Sequence, residues 1–220
     1  MRRRRLVVLV SGNGSNLQAV LDATADGRID ADVVAVVSNR PDVFALQRAD
    51  AAGVPAVHIG LHPDEERSEY DARLADLIAG FEPDLIVLAG WMRVLTMSFL
   101  GWFPRQVINL HPALPGELPG TRSIERAWNE ALAGSRTSTG VMVHLVPDDG
   151  VDDGPVLATA VVAIDRTGTL EAFEHSMHAA EHRLLVQVLG DVCDNPSIID
   201  EAIGRVDTTA ARPIETEIHA

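Results

Sequence analysis

Short β-branched runs alternate with amphipathic stretches through the first half of the chain. The alternation predicts strands over 6–10, 32–38, 54–58 and 84–89, separated by helices over 15–27, 42–52 and 64–79. That order is βαβ winding and implies an α/β fold with a parallel sheet. In the stretch 64–79, Tyr70, Leu74, Leu77 and Ile78 recur at helical spacing after Pro63. Asp64, Glu65 and Glu66 are expected in its first turn, where the helix dipole favours negative charge. A fifth strand over 106–110 leads into the Pro- and Gly-rich stretch from Pro112 to Gly120, and a helix over 123–133 follows. Beyond it the winding changes. Two apolar runs, 139–146 and 155–164, flank the acidic segment Pro147 to Gly154 and read as a hairpin-like pair added to the sheet, before an amphipathic helix over 169–190. Neither an internal repeat nor a linker divides the chain, so one domain is expected over 1–206, with a polar, loosely held tail over 207–220.

Composition narrows the class. The 220 residues are 46% apolar and 23% charged, as in an ordinary folded protein. A chain this long buries roughly 70% of its unfolded surface and needs no staple. The single Cys193 cannot form an internal disulfide, which suits a reducing compartment. Leu6 to Val10 behind Arg2–Arg5 imitate the start of a signal peptide, but the run is too short and ends in Ser11-Gly12-Asn13-Gly14. With no other long apolar window, a cytoplasmic location and no membrane partner are expected.

All 18 basic residues are arginine, against 32 acidic ones. The absence of lysine excludes a Walker-type phosphate lysine, a Schiff-base lysine and a lysine general base. Setting aside Arg2 to Arg5 leaves 14 arginines and a balance of −18, which should repel nucleic acid.

Four places carry candidate chemistry. The first βα turn, Gly12-Asn13-Gly14-Ser15-Asn16, offers backbone amides and a helix N-terminus to an anion. Leu17 stands where a dinucleotide fingerprint needs its third glycine, and Ser38-Asn39-Arg40 where it needs an acid. A phosphomonoester therefore fits better than a nicotinamide cofactor; a tight turn capped by Ser15 or Asn16 is the plain alternative. In Val107-Ile108-Asn109-Leu110-His111, a period of two puts Asn109 and His111 on one face at a strand's carboxyl end. An amide for an oxyanion and an imidazole for a proton suit acyl transfer, though such pairs also serve as strand-end hydrogen bonds. The acidic turn 147–155 lacks EF-hand spacing; it reads as a solvated turn, or as the source of an aspartate that holds a histidine protonated. His175, His178 and His182, with Glu174 and Glu181, form a helix face open to two readings, a metal face or a polar cleft wall.

Taken together, Ser-Gly-Asn-Gly-Ser-Asn at 11–16, Leu-Ala-Gly-Trp-Met-Arg-Val-Leu at 88–95, Asn-Leu-His-Pro at 109–112 and Asp-Asp-Gly-Pro at 152–155 resemble the phosphoribosylglycinamide formyltransferase family over residues 5–190. The resemblance implies a Rossmann-like three-layer sandwich with a mixed, mainly parallel sheet. It implies formyl transfer from 10-formyltetrahydrofolate, as cosubstrate, to the amine of phosphoribosylglycinamide in purine biosynthesis, with no metal. Gly12, Asn13, Gly14, Ser15 and Asn16 would hold the substrate phosphate and Glu181 the ribose. Arg67, Met92, Arg93, Val94, Leu95 and Asn109 would meet the folate. Asn109 would stabilise the oxyanion and His111, kept as imidazolium by Asp152, would relay the proton, with Asp153 a rival to Asp152. The alternatives are formyltetrahydrofolate hydrolase and other folate-dependent formyltransferases. A non-enzymatic nucleotide-binding module is the reading from a different class, and the chain is expected as a monomer or homodimer. Both implied ligands are anionic, so positive potential is expected locally, from the turn amides, Arg67 and Arg93, with the surplus carboxylates elsewhere.

Overall fold

The computed structural model describes residues 2–207. In chain order its elements are β1 (Arg4–Val10), α1 (Ser15–Ala25), β2 (Ala31–Ser38), α2 (Phe44–Ala51), β3 (Ala56–His58), α3 (Arg67–Ala79), β4 (Leu85–Leu88), α4 (Met97–Leu100), β5 (Val107–His111), α5 (Ser123–Leu132), β6 (Ser138–Leu145), β7 (Val156–Ala163), α6 (Leu170–Asp194) and α7 (Ser197–Asp207). The strands form one sheet in the order β3-β2-β1-β4-β5-β6-β7. β1 to β5 are parallel, whereas β6 and β7 run antiparallel to their neighbours, so the sheet is mixed and mainly parallel.

The period of two seen in the sequence sorts the strands between two cores. Leu6, Val8 and Val10 of β1 pack with Ile108 and Leu110 of β5 and with α1, α2, α5 and α6 on one face. Val7 and Leu9 pack with Ile86 and Leu88 of β4 and with α3 and α4 on the other. Helices on both faces of the sheet give the three layers. Leu9 and Tyr70 are fully buried, and burying one such side chain contributes about 2 kcal/mol.

The acidic run before α3 takes a different role from the one its composition suggests. The helix starts at Arg67, and Asp64 lies ahead of it with φ 62°. Glu66 is the N-cap, its N–H donating to the Glu69 carboxylate at 3.2 Å, while Glu65 pairs with Arg73 at 2.7 Å. Two helices were not expected. α4 is a single turn with no period to read, and α7 follows Pro196 with Ile199 and Ala202 buried. Apart from Asp207, the tail expected over 207–220 lies outside the described residues. Among those residues no helix is long and apolar enough to cross a membrane.

Candidate active site

Strand order reverses between β1 and β4, and the crevice beyond their carboxyl ends is where a doubly wound sheet takes its ligands. Here it is a cleft of about 710 Å³, lined by the segments that leave β1, β4 and β5 and by the acidic turn before β7. On the side of the sheet opposite Ile108 and Leu110, β5 gives the α3–α4 core only Val107, so Asn109 and His111 stand at the end of that face.

The turn after β1 depends on Gly14, which adopts φ 78° as the N-cap of α1. A Cβ there would lie 2.6 Å from that of Ala45, so only glycine combines this backbone with the close approach of α2. No side chain caps α1, so neither Ser15 nor Asn16 does, and the first-turn N–H groups remain without helical partners beside the cleft. Arg48 of α2 braces the turn, its Nε donating to the Asn13 carbonyl at 3.0 Å. Asn16 Oδ1 is buried without a partner.

Met92, Arg93, Val94 and Leu95 line the cleft after β4. Arg93 lies 5.1 Å over the Tyr70 ring, and the Thr96 N–H donates to Asp71 Oδ2 at 2.7 Å. Asp71 is fully buried. Its other oxygen pairs with Arg67 Nε at 3.2 Å, so Arg67 stands outside the cleft lining and braces the carboxylate that holds this segment.

Asn109 Nδ2 donates to Asp152 Oδ1 at 3.1 Å and to His144 Nε2 at 3.0 Å. The Leu145 carbonyl, 2.8 Å from His144 Nδ1, can only accept, so that nitrogen carries the hydrogen and Nε2 is left to accept. Asp152 Oδ2 lies 3.2 Å from His111 Nδ1 and accepts the Gly120 N–H at 2.8 Å. The structure brings Asp152 against His111 and leaves Asp153 exposed. Asp152 reaches inward through a left-handed backbone, φ 56°, a conformation costing a non-glycine residue about 1 kcal/mol.

Burial pushes the His111 imidazole below its ordinary value, and the Asp152 carboxylate offsets this only in part, helped by the Leu118 and Glu117 carbonyls. The carboxylate expected to hold the ring as an imidazolium therefore does not outweigh its burial. Both its nitrogens nevertheless face acceptors, Asp152 Oδ2 and the Leu118 carbonyl at 3.2 Å, so the protonated ring is the form that uses both bonds. Burial, the largest single influence on Asp152, would raise its carboxyl; its hydrogen-bonding and charged neighbours, the Gly120 amide and His111 among them, bring it below its ordinary value.

Across the cleft, Glu174, His178 and Glu181 of α6 form part of the wall, while His175 and His182 stand outside the lining. Glu181 is buried, and its carboxylate at 2.6 Å raises the His178 imidazole above its usual range. Among the described residues no group of three or more His, Cys, Asp or Glu is placed to hold a metal ion. Arg40, Arg93 and Arg122 are the lining's arginines, against Glu125, Asp148, Asp152, Glu174 and Glu181. Most of the 32 acidic residues do lie elsewhere, yet the lining itself carries more carboxylates than arginines.

The motif reading passed over Ser11, Asp71, Gly120 and His144. Each acts through a partner far along the chain. His144 left a local trace, as the one polar residue in the run Val141 to Leu145.

A family model described as formyl transferase matches residues 4–189. Phosphoribosylglycinamide formyltransferase of Schizosaccharomyces pombe is 44% identical over 201 residues, covering 85% of this chain and 96% of that protein. The Dictyostelium discoideum enzyme of the same name is 38% identical over 195 residues, covering 83% and 94%. The crystal structure of glycinamide ribonucleotide transformylase 1 from Symbiobacterium toebii superposes with a TM-score of 0.81 at 35% identity, over 88% of this chain and 89% of that one. The sheet order, the cleft and these relatives agree: the chain belongs to the formyl transferase family, among the phosphoribosylglycinamide formyltransferases.

Proposed function

We propose that the cleft transfers the formyl group of 10-formyltetrahydrofolate to the amine of phosphoribosylglycinamide, using Asn109, His111 and Asp152. The observation that carries this reading is their convergence: one carboxylate touches both the amide of Asn109 and the ring of His111 at the mouth of a parallel sheet. The turn Gly12 to Asn16 supplies N–H groups for the phosphate, which a lysine-free lining with few arginines otherwise lacks. Glu181, with His178, faces the ribose side, and Met92 to Leu95 with Asn109 face the folate. Arg67 acts from outside the lining by bracing Asp71.

The amine attacks the formyl carbon, and the carbonyl oxygen becomes an oxyanion. Asn109 turns to it the hydrogen now given to Asp152. The proton released from the attacking nitrogen passes to the neutral His111, and the imidazolium then donates from both nitrogens, to Asp152 and to the Leu118 carbonyl. It then moves to N10 of the folate as the C–N10 bond breaks, giving the formylated amine and tetrahydrofolate. No step needs a metal. A cytoplasmic site of action, with small-molecule partners and no nucleic acid, follows from the same reading.

Following folate release from 10-formyltetrahydrofolate with and without phosphoribosylglycinamide tests it. Amine-dependent release is expected. Release that ignores the amine would identify a hydrolase, and none at all a binding module.

A further inference from the structure

Ser11 ends the strand that leads into the phosphate turn and is 2% exposed. Its Oγ donates to Asn39 Oδ1 at 2.7 Å and accepts the Met92 N–H at 2.9 Å. A hydroxyl has a single hydrogen; with that given to Asn39, the lone pair toward Met92 is fixed in direction. Met92 opens the segment 92–95, whose far end is held by Asp71 through the Thr96 N–H. The segment is thus gripped at one end by α3 and at the other by a residue bonded covalently to Gly12. The Gly12 carbonyl in turn accepts the Ala45 N–H at 3.2 Å, so the turn, the strand end and the segment belong to one hydrogen-bonded chain.

We propose that Ser11 is a positioning residue that couples the two halves of the cleft: a ligand held by the turn at 12–16 holds the strand end that carries the Ser11 hydroxyl, and through its bond to Met92 lowers the ordering cost for the ligand of segment 92–95. The inference rests on placing the phosphorylated substrate at the turn and the folate at the segment. Coupling through a shared ordered element needs no displacement, and it is reciprocal, each ligand tightening the other by the same factor.

Titration calorimetry of the full chain with phosphoribosylglycinamide, alone and with saturating tetrahydrofolate, measures that factor; tetrahydrofolate carries no formyl group and cannot react. A tightening of about fivefold is expected, the same in the reverse order of addition. Ser11→Ala should bring the factor below about two, while Ser11→Thr, which keeps the hydroxyl, retains it. Asp71→Asn loosens the same segment from its far end; it should weaken folate binding and preserve the factor. The inference is overturned by a factor of one in the unmodified protein, by its survival in Ser11→Ala, by loss in Ser11→Thr as complete as in Ser11→Ala, or by equal loss in Asp71→Asn. Binding of both ligands without coupling overturns this inference alone. Failure of phosphoribosylglycinamide to bind overturns the functional reading and the inference with it.

Discussion

Asn109 and His144 stand directly opposite one another in the antiparallel β5–β6 pair, and the His144 ring accepts the Asn109 amide at 3.0 Å. The amide proposed to serve the reaction is therefore aimed by a strand register as well as by a side chain. His144→Ala should leave both KM values near those of the parent and lower kcat about tenfold, the worth of one lost hydrogen bond. Steady-state kinetics separate the two effects. Asn109→Ala and His111→Ala remove the proposed reacting groups themselves. Each is expected to fold and to lose about a hundredfold or more in turnover, and near-normal turnover in both would end the assignment.

Asp152 and Asp153 are neighbours in sequence with different surroundings. Asp152→Asn should slow turnover strongly and shift the acid limb of the pH–rate profile, whereas Asp153→Asn should resemble the parent. His111 titrates below its ordinary value, so activity falls as pH drops through the folded value and the ring takes up a proton before substrate arrives. Removing the carboxylate that supports the protonated ring moves this limb to lower pH. The same shift makes stability rise with pH up to about 6.5, because the unfolded chain binds the proton more readily in that window, and fall as pH drops through the folded value.

Gly14→Ala confronts a left-handed backbone and the Ala45 methyl together. A loss of about 2–4 kcal/mol in urea denaturation is expected from the two penalties combined. The KM for phosphoribosylglycinamide should rise more than that for the folate, since the substitution disturbs the turn directly and the 92–95 segment only through Ser11.

His178 titrates above its ordinary value because Glu181 holds it. Its contribution to stability is fully present below about 6.5 and is lost as pH rises through the folded value. Glu181→Gln should return the His178 ring signal in NMR titrations to an ordinary midpoint and remove that dependence. An unchanged midpoint would show that the carboxylate does not hold the ring.

The parts of the fold legible in the sequence are those that local spacing dictates. The parallel strands announce themselves as β-branched runs, the glycine turn by its position after β1, and Asn109 with His111 by a period of two. What escaped depends on contacts across the chain. The acids at 64–66 read as a helical first turn, but Arg73, eight residues beyond Glu65, draws that carboxylate away, and Glu66 becomes the cap. Asp71 looks like one acid on a helix and proves to be fully buried, anchoring a backbone amide 25 residues on. The choice between Asp152 and Asp153 turns on the left-handed backbone of Asp152, which no spacing reports. The balance of influences on His111 escaped for a related reason: a neighbouring carboxylate can be guessed from a motif, whereas the depth of burial that opposes it cannot.

Asn109 waits for His144, 35 residues further along the chain, and for Asp152, 43 residues further. During synthesis the parallel strands and the glycine turn emerge first, and β6 must then find its register, since a slip of one residue would carry His144 to the opposite face of the sheet. Until that register is set, the amide remains unaimed and its carboxylate undelivered. The site is therefore a property of the completed sheet and not of its parallel half.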